Sequence, residues 1–259
     1  MIAPPTAASN PDAAPAPAIP LLQLQQGIDS AGNPAFVETA GPEPLSQAGQ
    51  KGFDLLARRI PEPYLSSFRQ LRGRLMRRRE AAESGGECFQ TLLVTSPEPG
   101  DGKTFVASNL ALMLAVPEGS RVLLAEGNFD RPVFESRFDL PPGPGFRELV
   151  AGAPPREAMR SLPGMGLYVS SLGSGKPSEM EPIDFRQARR WLDTASGEFD
   201  WIVFDGPSLD SPEGEMLSYL CDGVLVVLRP GRTPFHAADA AMTKLDPSRV
   251  AGVVFNGRA

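Results

Sequence analysis

The sequence predicts an α/β domain with a mostly parallel sheet and helices on both faces, preceded by a disordered N-terminal arm. Three observations carry this. Short apolar runs such as "TLLVTS", "RVLLAE", "WIVFD" and "GVLVVL" recur through the chain, and unbroken apolar strands are those buried on both faces. Stretches of helical periodicity separate them, so successive strands are joined by crossover helices and run parallel. The first 50 residues contain "APPTAASNPDAAPAPAIP" and are rich in Pro, Ala, Gly and Gln, a composition that cannot build a core.

The chain has 259 residues and a formal net charge of -6. That balance speaks against a general nucleic-acid binder. Cys88 and Cys221 are too few for a disulfide framework and lack metal-ligand spacing. The single histidine, His236, excludes a His-rich metal site. No apolar run is long enough for a bilayer, and the N-terminus lacks the basic and apolar regions of a secretory signal. The expected location is cytoplasmic, with any attachment to the inner membrane made through a partner.

Within the arm, residues 1–50, "LLQLQQ" at Leu21–Gln26 is a small apolar island. Residues 51–85 form a helical segment. From Phe53 to Glu83 the spacing places Leu65, Phe68, Leu71, Leu75 and Met76 on one stripe. Arg69, Arg72, Arg74, Arg77, Arg78 and Arg79 surround it. Two readings stand: a solvated helix packed on the domain, or an interaction helix for an acidic partner or a neighbouring subunit. Residues 86–259 form the α/β domain. Strands are expected near Phe89–Ser96, Arg121–Glu126, Leu167–Ser170, Trp201–Asp205, Val224–Leu228 and Val250–Phe255. Helices are expected near Lys103–Ala115, Gly145–Ala151, Ile183–Ser196, Gly214–Leu220 and Phe235–Lys244.

The first of these strands runs into "PEPGDGKT", a turn that opens a helix. This is the context of a phosphate-binding loop: glycines let backbone N–H groups approach an anion, and the helix N-terminus favours it. The residues expected at a nucleotide are Gly100, Asp101, Gly102, Lys103, Thr104 and Phe105. Lys103 would reach the phosphates, and the Thr104 hydroxyl would ligate Mg²⁺. Pro97 stands where the strict pattern has its first glycine. A second stretch, "LGSGKPS" at Leu172–Ser178, looks similar, but Pro177 follows its lysine and no helical pattern follows. It reads as a surface loop.

A nucleotide site on such a loop needs carboxylates at neighbouring strand ends. "WIVFDGP" supplies Asp205, the candidate for the Mg²⁺ shell and for catalysis beside Lys103. "RVLLAEGNFDRP" supplies Glu126, a further catalytic candidate, with Asn128 and Asp130 beyond it.

With these motifs the chain resembles the bacterial tyrosine kinases of capsule and exopolysaccharide synthesis. Those are deviant phosphate-loop ATPases related to MinD and ParA. The likeness runs from about Phe68 to Asn256 and rests on "TSPEPGDGKTFVASNLA", "RPVFESRFDLPPGPGFRELVAG", "FDWIVFDGPS", "DGVLVVLRPGRT" and "VAGVVFN". It implies a P-loop NTPase-like fold with ATP and Mg²⁺ as cofactors. It also exposes departures. The family's second motif reads Asp-x-Asp-x-Arg, and here Glu126, Asn128 and Asp130 occupy those positions. Glu126 is one methylene longer than Asp, and a misplacement of about 1 Å can cost about a hundredfold in rate. The family's C-terminal tyrosine cluster has no counterpart; the tyrosines are Tyr64, Tyr168 and Tyr219. In the family's ring-forming Glu-x-x-Arg-x-x-Arg helix, Arg69 and Arg72 match but Ser66 replaces the glutamate.

The resemblance with these departures implies an ATP-binding, kinase-like regulator with weak or lost tyrosine kinase activity. Its partner would be the cytoplasmic tail of a membrane-anchored polysaccharide co-polymerase, with homo-oligomerisation a further expectation. Two alternatives remain open: an active autokinase using Glu126, and a MinD- or ParA-like positioning ATPase.

Overall fold

A computed structural model describes residues 24–28, 34–37, 42–51, 62–173 and 183–257. The chain divides into two units, Met1–Gly41 and Pro42–Ala259. In the first, β1 (Leu24–Ile28) and β2 (Pro34–Val37) pair antiparallel, with Leu24 opposite Val37 and Ile28 opposite Pro34. This hairpin lies inside the stretch expected to be disordered. Ile28, Phe36 and Val37 are strand-favouring residues, masked by the Pro- and Ala-rich sequence around them.

The second unit holds a seven-stranded sheet. Its strands are β3 (Thr91–Ser96), β4 (Val122–Glu126), β5 (Arg160–Ser161), β6 (Leu167–Ser170), β7 (Trp201–Ser208), β8 (Gly223–Leu228) and β9 (Val250–Phe255). Their spatial order is β5-β6-β4-β7-β3-β8-β9. All neighbours are parallel except β5 and β6. A short helical stretch covers residues 47–51, and the labelled helices are α1 (Glu62–Ser84), α2 (Lys103–Leu114), α3 (Phe134–Arg137), α4 (Phe146–Val150), α5 (Pro155–Ala158), α6 (Phe185–Ala195), α7 (Pro212–Leu220) and α8 (Phe235–Thr243).

Strand pleating divides the core into two. Leu92 and Val94 of β3, with Trp201 and Val203 of β7, face a cluster completed by Val106, Leu110 and Leu114 of α2 and by Phe68 and Leu75 of α1. The alternating residues Leu93, Ile202 and Phe204 face a second cluster built with Trp191 and Leu192 of α6 and Leu217 and Leu220 of α7. This is the two-sided burial that unbroken apolar strands require.

Helix starts follow local chemistry. Asp184 caps α6, its carboxylate accepting from the backbone N–H groups of Arg186 and Gln187. α7 begins at Pro212, ahead of the expected Gly214. Pro212 suits a first helical position, and the Ser211 hydroxyl accepts from Gly214 N at 3.0 Å. α3, α5 and β5 were not anticipated; they are too short to show a period.

The second unit begins before α1. Residues 42–50 fell within the expected arm, yet Leu45 is buried. Its N–H donates to Ser161 O at 2.8 Å, and Ser161 N donates to Glu43 O at 2.9 Å, extending the sheet beyond β5. Within α1, two arginines serve the domain itself. Arg78 donates to Val250 O and Ser248 O and lies 4.9 Å from the Phe89 ring centre. Arg79 donates to Asp200 O at 2.7 Å and lies over Trp201. Both are long stems packed on aromatic faces with their charged heads on carbonyls. No helix among the described residues is long and apolar enough to cross a membrane.

Because Leu75 is 1% exposed in the core under α1, Leu75→Ala is expected to cost about 2–5 kcal/mol in denaturant unfolding. A loss below about 1 kcal/mol would mean that α1 does not share the domain's core.

Candidate nucleotide-binding site

The sheet topology creates the site. β3 is central, and the chain leaves it to reach β4 two positions away, with β7 between them, while β8 lies on the other side. Ligand crevices of open parallel sheets form at such a reversal, beyond the carboxyl ends of the strands. Residues 97–102 link β3 to α2 at that point. Gly100 and Gly102 have φ values of 87° and 101°, backbone that favours glycine. Gly102 also has no room for a side chain: a Cβ there would collide with the Asn256 amide. α2 carries no side-chain cap, the arrangement in which N-terminal N–H groups and the helix dipole favour an anion.

Lys103 opens α2 and is buried. Its ammonium donates to Ser96 Oγ at 2.9 Å, to Ser208 Oγ at 3.2 Å and to Glu98 O at 3.4 Å. Burial pushes its pKa down, opposed by the charges of Asp205, Asp101, Asp210 and Asp130. Ser96 and Ser208 escaped the sequence reading. The only signal was that each ends a strand flanking the loop, and β7 was expected to stop at Asp205.

Asp205 is fully buried, and neither carboxylate oxygen has a well-formed hydrogen bond among the described residues. Burial raises its pKa to about 6. The Thr104 side chain beside it and the charges of Lys103 and Arg137 pull the other way. A buried carboxylate without a partner, next to a hydroxyl, fits a hydrated Mg²⁺ that also takes phosphate oxygens. No cluster of three or more His, Cys, Asp or Glu gathers among the described residues.

Two loop residues have side chains turned to other work. The Asp101 carboxylate accepts from Thr233 Oγ1 at 2.9 Å and from Glu98 N at 3.3 Å. The Phe105 ring packs edge-on against Phe68 of α1, with centres 6.1 Å apart. Any contact of Phe105 with a nucleotide therefore runs through its backbone.

Glu126 stands beside Asp205 in the register of β4 and β7. It is fully buried. One carboxylate oxygen accepts from Val133 N and Phe134 N, at the start of α3, and the other accepts from Leu172 N at 3.0 Å. Both oxygens are thus engaged by the chain itself, tying α3 and the segment after β6 to the end of β4. Desolvation outweighs these bonds and lifts its pKa to about 7. Asn128 Oδ1 accepts from Arg131 N, and Asp130 is exposed. In the second glycine-lysine stretch, Leu172 and Gly173 are described, while residues 174–178 lie outside the described residues.

No family model matches the chain. It is 30% identical over 214 residues to the putative tyrosine-protein kinase EpsB of Ralstonia nicotianae, covering 80% of this chain and 27% of that protein. It is 26% identical over 174 residues to the tyrosine-protein kinase YwqD of Bacillus subtilis, covering 66% of this chain and 73% of YwqD. Among solved structures it matches the BceF tyrosine kinase domain with a TM-score of 0.58 and 26% identity, over 84% of this chain and 92% of that one. The chain is a homologue of the bacterial tyrosine kinases. This homologue spans about a quarter of the length of EpsB. It also shares its fold with the septum site-determining protein MinD of Pyrococcus horikoshii, solved with Mg-ADP, at a TM-score of 0.53 and 17% identity over 64% of this chain and 70% of that one. A phosphate-loop α/β fold is thereby established for the kinase homologue.

The raised pKa values set a pH dependence. Between the ordinary value of 4.5 and about 7, the folded chain holds a proton on Glu126 that the unfolded chain has lost. Stability therefore falls as pH rises through that window. Asp205 acts in the same direction between 3.8 and about 6. Glu126→Gln removes the first contribution, so its melting temperature should fall less than the wild type's between about pH 5 and pH 7.5. Superimposable profiles would contradict the assignment.

Proposed function

We propose that this chain is an ATP-binding, kinase-like domain in which nucleotide binding is retained and phosphoryl transfer to tyrosine is weak or lost. The observation that carries the reading is the pairing of buried Lys103, held between Ser96 and Ser208, with buried Asp205, whose oxygens have no well-formed hydrogen bond among the described residues and lie beside the Thr104 side chain. Lys103, the glycines Gly100 and Gly102 and the N-terminus of α2 would hold the phosphates. Thr104 and Asp205 would hold Mg²⁺, which supplies charge neutralisation between phosphate oxygens when bound.

Glu126 supports the second half of the proposal. A base must reach its proton, and this carboxylate is turned onto three backbone N–H groups instead. It acts as a positioning residue for α3, whose Arg137 contributes to the field at Asp205. In this reading the chain serves an exopolysaccharide system as a nucleotide-dependent regulator, docking on the cytoplasmic tail of a membrane-anchored co-polymerase. Homology to named tyrosine kinases supports the setting.

Calorimetric titration with Mg-ATP tests the site: the wild type should bind, and Lys103→Ala should bind at least about tenfold more weakly, the scale of one charged hydrogen bond. Equal affinities would remove the reading. Intact-mass measurement after incubation with Mg-ATP tests the loss of transfer. An unchanged mass is expected, whereas a gain of about 80 Da per phosphate that disappears in Lys103→Ala would show an active kinase.

A further inference from the structure

Lys103 is buried, but two other cations stand on the solvent side of the same loop. Arg229 and Arg232 are both exposed and lie on the connection between β8 and α8. That connection is built as a rigid frame. Thr233 Oγ1 donates to Asp101 Oδ1 at 2.9 Å and accepts from Arg229 N at 2.8 Å. The N–H groups of Arg232 and Thr233 both donate to Arg229 O, at 3.0 and 2.9 Å. Gly231, at φ 74°, completes the turn. From the end of β9, Asn256 Nδ2 donates to Asp101 O at 2.8 Å. The frame is therefore fastened to the phosphate loop at Asp101 from two sides.

On this frame the guanidinium groups reach Gly100. Arg229 Nη1 donates to Gly100 O at 3.3 Å. Arg232 lies so close that a Cβ on Gly100 would meet its Nη2 at 2.7 Å and its Cζ at 3.1 Å. The Arg229 bond is long and exposed, so a stronger acceptor can displace it. The charge balance of the site asks for such cations. Asp101, Asp130, Asp205 and Asp210 all act electrostatically on Lys103. A nucleotide brings further negative charge into this acidic setting, and cations at the rim would share its compensation with Lys103 and a bound Mg²⁺.

We propose that Arg229 and Arg232 bind the phosphate chain of the nucleotide from the solvent rim of the loop, as a second cationic grip beside Lys103. This deepens the nucleotide-binding reading of the site and rests on it. A guanidinium suits the role because its planar donors match phosphate oxygens two at a time. The fastening through Thr233 fixes the backbone that carries both side chains before the ligand arrives, which lowers part of the ordering cost of binding.

The test is calorimetric titration of Mg-ATP into the wild type, the Arg229→Ala/Arg232→Ala double variant and Arg232→Lys, each at low and raised salt. Melting temperatures without nucleotide are measured alongside. The double variant should bind about tenfold or more weakly, with a shallower salt dependence than the wild type and an unchanged melting temperature. Arg232→Lys should recover part of the affinity. Wild-type affinity in the double variant overturns the proposal while leaving the nucleotide site intact. A loss of affinity matched by a fall in melting temperature without nucleotide also overturns it, by assigning the arginines a structural role. A wild type that binds no Mg-ATP overturns the site itself and the proposal with it.

Discussion

A buried ammonium at the junction of a strand, a loop and a helix organises this protein. Lys103 is withdrawn from water and bonded to hydroxyls at the ends of β3 and β7. Withdrawal disfavours its charge, and surrounding carboxylates restore part of that loss. Much else can be traced to this arrangement. β7 must lie beside β3 to bring Ser208 and Asp205 to the lysine. The chain must therefore cross from β3 to β4 over the place that β7 later fills. Gly102 is left without room for a side chain by the Asn256 amide, just past the last strand.

Asp205 and Glu126 illustrate how environment separates two neighbouring carboxylates. They share a register position on adjacent strands and are equally buried. Glu126 is satisfied by three backbone N–H groups and behaves as part of the scaffold. Asp205 has no comparable partners and faces Thr104 and Lys103. A buried polar group left without a partner is costly, so its persistence at a strand end beside a phosphate loop points to a ligand. Two carboxylates that look alike in sequence thus stand in different hydrogen-bonding environments, the basis of the different roles proposed for them.

Much of the fold was legible in the sequence because the strands are unbroken apolar runs, and only parallel strands between helical layers tolerate that pattern. The six longer strands of the main sheet fall where "TLLVTS", "VLLAE", "LYVS", "WIVFD", "VLVVL" and "VAGVVF" lie. β5 and the short helices α3 and α5 left no periodicity to detect. The β1–β2 hairpin was hidden by the composition around it. Around the loop, Gly100, Gly102, Lys103 and Thr104 were expected together from the loop's own spacing and Asp205 from its place at a strand end, and the structure gathers them at one crevice. Ser208, Thr233, Asn256 and the two rim arginines could not be read that way. They reach the loop through tertiary packing from β7, the β8–α8 connection and β9, and no local pattern announces that. The engagement of Glu126 was equally silent, since its partners are backbone groups eight and forty-six positions away as well as one nearer by.

The proposed nucleotide site turns on the buried carboxylate of Asp205 and the hydroxyl of Thr104 receiving a metal-bound nucleotide. A crystal structure of the chain with Mg²⁺ and a non-hydrolysable ATP analogue addresses it most directly. The account predicts phosphates against the N-terminus of α2 and the Lys103 ammonium, with the metal between those phosphates and the Thr104–Asp205 pair. Nucleotide bound elsewhere, or phosphates on the loop with Asp205 still buried away from metal and its bound water, would contradict it.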